Sequence, residues 1–355
     1  MKKITAMILA ALMLVSAFAL ASCGNGKPEA TGTQTTLDDT SAETPSTTGA
    51  DTEKPEDKPS EIRVITLMGP TGMGMSKLIS DSKENKTEQN YTFTVASAPD
   101  QVSAQVIKGD FDIAAVPVNL AAVLYNKTEG AIKAAGVNTL GVLYMLESGD
   151  TVKSVADLKG KKIYATGQGA NPEYTLRYIL SKNGIDPDKD VTIEFLAEHA
   201  ELATQMTAGT VTLGMLPEPN VTAVLLNNKN AHIALDLNKE WKAVSGTDMV
   251  MGCIIVSAKF AEEHPQALKS FLEEYKASVD FVTSNVEEAA ALIEAAGIVP
   301  KAAIAKAALP NCNIVLVTGD GMKTAMSSML NVLFEANPKS VGGKLPDDGF
   351  WYTAE

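Results

Sequence analysis

Apolar positions along the chain fall into short runs that switch between a two-residue and a helical period. Residues 62–67 (IRVITL) predict a strand, followed by a Gly/Met-rich loop and a helix over about 75–83. Residues 91–96 alternate and predict a second strand, and Pro99-Asp100 opens a helix with Val102 and Val106 on one face. A strand over 111–116, a helix over 120–125 and a single strand over 139–146 come next. The alternation then repeats. A strand over 161–166 leads to a helix at Pro172, with Leu176, Ile179 and Leu180 spaced for burial. Further strands are predicted at 191–196, 211–216, 233–237 and 253–256. Beyond Phe260 the pattern is almost wholly helical, over 266–282, 286–296, 301–308 and 323–334. Strand-then-helix units of this size predict parallel α/β layers. The turn-rich stretch 336–355 is expected to be a surface tail.

The first sixty residues have a different texture. Lys2 and Lys3 precede an apolar run over 4–20, and small residues follow, which are the marks of an export signal. Leu20-Ala21-Ser22-Cys23 resembles the lipobox of bacterial lipoproteins. That resemblance implies a signal peptide over 1–22, cleavage before Cys23 and lipid attached to it, which places the protein at the outer face of the bacterial cytoplasmic membrane. The competing readings are a secreted protein and a spanning anchor. The run is short for a span, which needs about 20 apolar residues, and no stop-transfer charge cluster follows it. Residues 23–60 are rich in Thr, Ser, Gly, Pro and acids, with Leu37 the only large aliphatic residue. Such a segment buries too little surface to offset its ordering entropy and is expected to act as a tether.

Charge and rare residues narrow the function. The net charge of −13, with no basic patch or aromatic–basic interleaving, argues against nucleic acid as a partner. Cys253 and Cys312 could pair outside the cytoplasm or stay as buried thiols. His199, His232 and His264 share no ligand spacing, so neither a metal site nor a cofactor is expected. His199 follows a predicted strand and could reach a cleft, but it has no recognisable nucleophilic partner.

One internal echo organises the folded part. Residues 109–119 read GDFDIAAVPVN and residues 209–220 read GTVTLGMLPEPN. In each, a glycine ends a helix, a strand follows, and a proline and then an asparagine lead into another helix. Two lobes with equivalent loops at the carboxyl ends of equivalent strands would place both loops beside one cleft. A chance match between two ordinary strand–helix junctions is the alternative.

Phe111-Asp112-Ile113-Ala114 with Val116-Pro117, Asp157-Leu158-Lys159-Gly160-Lys161-Lys162-Ile163, and Gly209 through Glu218-Pro219 occur in that order behind the lipobox and tether. Together they resemble the substrate-binding lipoproteins of bacterial ABC importers, in the branch that binds nitrate, alkanesulfonates, taurine and thiamine precursors. The resemblance covers roughly 61–335. Thr212 departs from it, standing where the family's last segment usually has Asp. The Gly/Met loop and the carboxyl-terminal tail depart as well. The resemblance implies a bilobal periplasmic-binding-protein-like α/β fold, with a first lobe over 61–147, a second over 148–248 and a return to the first over 249–335. It also implies a monomeric, non-enzymatic receptor that delivers a small molecule to ABC permease subunits. The cargo would be a sulfonate, nitrate or a nitrogen/sulfur heterocycle. An enzyme on the same fold and a sensory or adhesive lipoprotein are the alternatives.

Candidate ligand residues come from the loops. Gly69, Thr71 and Gly72 lie between the first strand and first helix, where glycines allow tight turns and helix-start N–H groups can hold a polar ligand. The loop lacks the lysine of a phosphate-cradling motif, Met75 standing in its place. Met73 or Met75 could wall the cleft or pack in the core. Thr166, Gln168, Gly169 and Asn171 occupy the matching place in the second lobe, where Asn171 could also simply cap its helix. Asn119 and Glu218 come from the paired echo loops, Glu218 being equally readable as a hinge or permease contact. Tyr144 near the lobe crossing could stack on a ring, as could Tyr174, or either could pack in the core.

Overall fold

A computed structural model describes residues 59–353. The expected signal peptide, Cys23 and nearly all of the tether lie outside the described residues. Two sheets organise the rest. The first runs in the order β11 (Ile314–Val317), β4 (Ile132–Leu140), β10 (Val250–Ser257), β3 (Ile113–Pro117), β1 (Ile62–Leu67) and β2 (Tyr91–Ala96). The second runs β7 (Thr192–Leu196), β6 (Lys162–Thr166), β8 (Leu213–Pro217), β5 (Leu143–Ser148) and β9 (Ala231–Asp236). The bilobal α/β architecture expected from the sequence is what forms.

Within each sheet the strand-then-helix repeats pair in parallel: β1 with β2 and β3, and β6 with β7 and β8. The sheets are nonetheless mixed. The strand entered directly from the other lobe, β5 in one sheet and β10 in the other, is antiparallel to both its neighbours. The edge strand β11 is also antiparallel to its partner β4. A strand reached without a crossover helix need not keep the parallel direction.

Helices of the first lobe are α1 (Pro70–Met73), α2 (Ser76–Lys83), α3 (Pro99–Lys108) and α4 (Val118–Lys127). The second lobe has α5 (Asn171–Lys182), α6 (His199–Thr207), α7 (Asn220–Asn227) and α8 (Leu237–Ser245). After β10 come α9 (Ala258–Glu263), α10 (Pro265–Ser284), α11 (Val286–Ala295), α12 (Ala302–Ala308) and α13 (Gly319–Ala336). Local chemistry sets several ends. In α3, Pro99 opens the helix, Val102 and Val106 are buried, and Gly109 closes it in the left-handed region.

Three departures from the sequence reading concern the passage between lobes and the end of the chain. The apolar run at 139–146 is two strands rather than one, since β4 ends at Leu140 and β5 begins at Leu143. The lobe passage therefore lies at Gly141-Val142, ahead of the expected point after Leu146. Gly141 is needed there, because a Cβ would lie 1.7 Å from the side-chain oxygen of Asn238. Second, the return segment is not all helical, because β11 adds a strand to the first sheet beside β4. Third, the chain end is packed rather than superficial. Phe350 and Trp351 are buried, Trp351 bridges to Ala134, and the Tyr125 hydroxyl donates to Asp347 at 2.5 Å.

The core does not divide cleanly at the lobe boundary. Along β5, Leu143 and Met145 face one cluster while Tyr144 and Leu146 face another, as the two-residue period requires. The cluster holding Leu143 and Met145 also takes in Met322, Met326, Met329 and Leu333 of α13. α13 packs on α4, β4 and β10 of the first lobe and on α5 of the second. Two polar contacts add to this: the Ser328 and Thr247 hydroxyls meet at 2.9 Å, and Asn337 donates to the Tyr174 hydroxyl at 2.9 Å. Cys253 and Cys312 are buried free thiols.

Candidate functional site

Loops at the carboxyl ends of β1, β3, β6 and β8 converge on a cavity of about 590 Å³ between the lobes. That volume falls in the range of small-molecule sites. Met68–Thr71, Asn119, Leu120, Thr139, Met251 and the strip 298–300 line it from the first lobe. Gly167, Asn171, Pro172, His199 and 217–220 line it from the second. Among the described residues, Glu218 and His199 are the lining side chains that can carry charge, with no Lys or Arg in the wall.

Five of the candidate residues meet at this cavity: Gly69, Thr71, Asn119, Asn171 and Glu218. The other five lie behind or beside its wall. Gly72 is buried in the turn under the loop, where a Cβ would stand 2.2 Å from the Leu67 carbonyl oxygen. Thr166 is fully buried and its hydroxyl sits 2.5 Å from His199 Nδ1. Gly169 turns the chain at φ 73° and its N–H donates to Glu173 at 2.7 Å, next to Gln168, which is also outside the lining. Tyr144 points along the lobe junction, its hydroxyl donating to the Asn311 carbonyl at 3.0 Å. Met73 and Met75 pack in the first-lobe core, and the methionines at the cavity are Met68 and Met251.

The polar groups differ in how far the protein already satisfies them. Asn138 donates to the Thr71 carbonyl at 2.9 Å and so fixes the first loop, leaving the Thr71 hydroxyl without a partner among the described residues. The side-chain amides of Asn119 and Asn220 also have no partner among the described residues. The Asn171 amide is buried and unpartnered at the start of α5. Glu218 is the reverse case. It is 2% exposed, and its carboxylate accepts from the Thr222 N–H at 3.0 Å, the Thr222 hydroxyl at 3.1 Å and the Asn311 amide at 3.2 Å. The last of these bonds crosses from one lobe to the other.

Burial pushes the Glu218 carboxyl above the usual glutamate range, and the bonds from Thr222 and Asn311 only partly oppose it. The folded state therefore binds the Glu218 proton more tightly than the unfolded state does. From about pH 4.5 upward, until the folded group ionises, stability falls as pH rises. Glu218→Gln removes that dependence. We expect the wild-type-minus-variant stability difference, from urea titrations at a series of pH values, to move against wild type as pH climbs. A difference flat with pH rules the effect out. Burial also lowers the His199 imidazole, with Glu198 partly opposing, so His199 is neutral at pH 7.

Among the described residues no group of three His, Cys, Asp or Glu side chains could hold a metal ion. Sequence reasoning passed over Asn220, Met251 and the 298–300 strip as lining residues. Asn220 had a signal, since it stands in the echo where Asn119 stands in the other lobe. The strip Ile298-Val299-Pro300 had none, because its place depends on Gly69 N–H donating to the Ile298 carbonyl at 2.9 Å, far away in sequence.

Two α/β lobes closing around one cavity define the periplasmic-binding-protein architecture. The chain belongs to the NMT1/THI5-like family, whose model matches residues 98–289. Solved structures share the fold. An ABC transporter protein from Parabacteroides distasonis superposes with a TM-score of 0.71 at 24% identity, over 84% of this chain and 100% of that one. The periplasmic aliphatic sulphonate binding protein SsuA from Escherichia coli gives 0.69 at 16% identity, over 84% and 94%. The periplasmic nitrate-binding protein NrtA from Synechocystis PCC 6803 gives 0.53 at 11%, over 79% and 84%. No curated protein matches the sequence.

Proposed function

We propose that this protein is an extracytoplasmic solute-binding lipoprotein, anchored through lipid on Cys23, that hands a small molecule to the permease subunits of an ABC importer. The observation carrying this reading is the cavity itself. Both lobes wall it, at the strand ends where open α/β sheets bind ligands, and each lobe presents a side-chain amide with no partner among the described residues. A receptor needs only desolvation and closure at such a site. Accordingly His199 faces the cavity with a threonine hydroxyl on one nitrogen, without the nucleophile–base–orienter geometry that bond chemistry requires. Family membership and the shared architecture of ABC-transporter proteins support the transport role.

The test is closure on binding. Spin labels at Ile107 on α3 and Leu226 on α7, both exposed and on different lobes, report the interlobe distance. Adding small-molecule extract from the native host should shorten that distance in the full chain. An unchanged distance with every extract fraction refutes the reading. Anchoring has its own readout. Cys23→Ala should move the protein from the membrane fraction to the soluble one and remove the acyl mass from its amino terminus. A Cys23→Ala protein that stays on the membrane with the same mass removes the anchor from the account.

A further inference from the structure

The cavity wall narrows the chemistry of what it holds, granted the reading of the cavity as the cargo site. An anion would have to be met there by cations or by the free N–H groups of helix starts. Among the described residues the wall supplies no Lys or Arg. On the second-lobe side two backbone N–H groups are already taken by the chain's own carboxylates. Glu218 accepts the Thr222 N–H in the first turn of α7, and Glu173 accepts the Gly169 N–H just ahead of α5. An oxyanion in this cavity would sit beside Glu218 with no Lys or Arg among the described lining residues to neutralise either charge, at a cost that grows as water is expelled on closure.

The unsatisfied groups have a different character. Asn119 at the start of α4 and Asn220 at the start of α7 come from opposite lobes and each offers one donor and one acceptor face. The Thr71 hydroxyl can likewise give or take a hydrogen bond. The second ring nitrogen of His199 has no partner among the described residues, while Thr166 occupies Nδ1. Around them the surface is apolar, with Met68 and Met251 adaptable in shape. A ligand that is only an acceptor would leave the amide oxygens of both asparagines without a donor once the lobes exclude water.

We propose that the cargo is an uncharged solute bearing an amide-type donor–acceptor edge, gripped between Asn119 of one lobe and Asn220 of the other, and that the site rejects sulfonates and nitrate. A carboxamide, lactam or ureide has the required edge. Burial of Glu218 above the usual carboxyl range points the same way, since its environment already disfavours charge.

The test uses the purified full chain. Native mass spectrometry reads any molecule retained from the host. Isothermal titration then compares a matched set, nicotinamide, nicotinate and pyridine-3-sulfonate, with nitrate and taurine. We expect the retained molecule, or the tightest probe, to be uncharged. Asn119→Ser and Asn220→Ser should each weaken it about tenfold, with folding checked by circular dichroism. If the retained or tightest ligand carries a formal charge, or both serine variants bind within about twofold of wild type, the inference falls and the receptor reading stands. If nothing is retained and none of the five probes or the host extract binds, the receptor reading itself falls.

Discussion

Met326→Ala lowers the unfolding free energy by about 2–5 kcal/mol, the usual cost of emptying a fully buried Met site. The loss is expected across the whole folded part rather than in one lobe. Met326 lies on the buried face of α13 with Met322, Met329 and Leu333, in the same cluster as Leu143 and Met145 of the second lobe. α13 also packs on α5 of that lobe and on α4, β4 and β10 of the other. A cavity opened there removes contacts from both sides at once, so calorimetry should show one transition moving down in temperature. Met68→Ala is the control. Met68 is 40% exposed at the mouth of the cavity, so its loss should weaken ligand binding and barely move stability. Two resolved transitions in Met326→Ala, with only one shifted, would mean that the lobes fold independently and that α13 belongs to one of them.

What could be read from the sequence depended on whether local pattern or distant contact decided the outcome. β1 and β2 were legible because a six-residue run of strand-forming side chains has few other solutions, and both stand where the pattern put them. The echo was legible for the same reason. Glycine closes a helix by its own conformational freedom, and Pro117 and Pro217 each end a strand at the cavity. Its weight as evidence lay in Asn119 and Glu218, and it also contained Asn220. The passage between lobes was hidden because Leu140, Val142 and Leu143 are apolar on both sides of Gly141, so the pattern ran through the break. β11 was hidden because four residues between helices carry little periodicity, and its strand character comes from pairing with Thr139 and Val137. Tyr144 and Thr166 show a subtler gap. Both are near the site, but their hydroxyls are claimed by Asn311 and His199, partners that no local pattern names.

Gly141→Ala should cost about 1–3 kcal/mol, the range for forcing atoms into a filled space. Its Cβ would fall 1.7 Å from Asn238 Oδ1 and 2.5 Å from Cγ, and the Gly141 carbonyl is held by the Asn313 amide at 2.6 Å. The chain here is gripped from both lobes, by Asn313 ahead of β11 and by Asn238 in the first turn of α8. Asn238 cannot yield freely, because its amide donates to Asp236 at 2.9 Å. Cutting Asn238 back to alanine leaves its Cβ at 3.1 Å from the new methyl, close but tolerable. Asn238→Ala alone should cost about 1 kcal/mol, for the lost bond to Asp236. Adding Gly141→Ala to it should then cost less than about 0.5 kcal/mol, so the double-mutant cycle shows strong coupling. Because the crowded methyl sits where the two lobes join, Gly141→Ala should also change the interlobe distance between labels at Ile107 and Leu226, and Asn238→Ala should restore it. Additive costs in the cycle, or an interlobe distance untouched by Gly141→Ala, would show that the close approach of Asn238 does not set the junction. The angle between the lobes would then be governed by α13 and its methionine face instead.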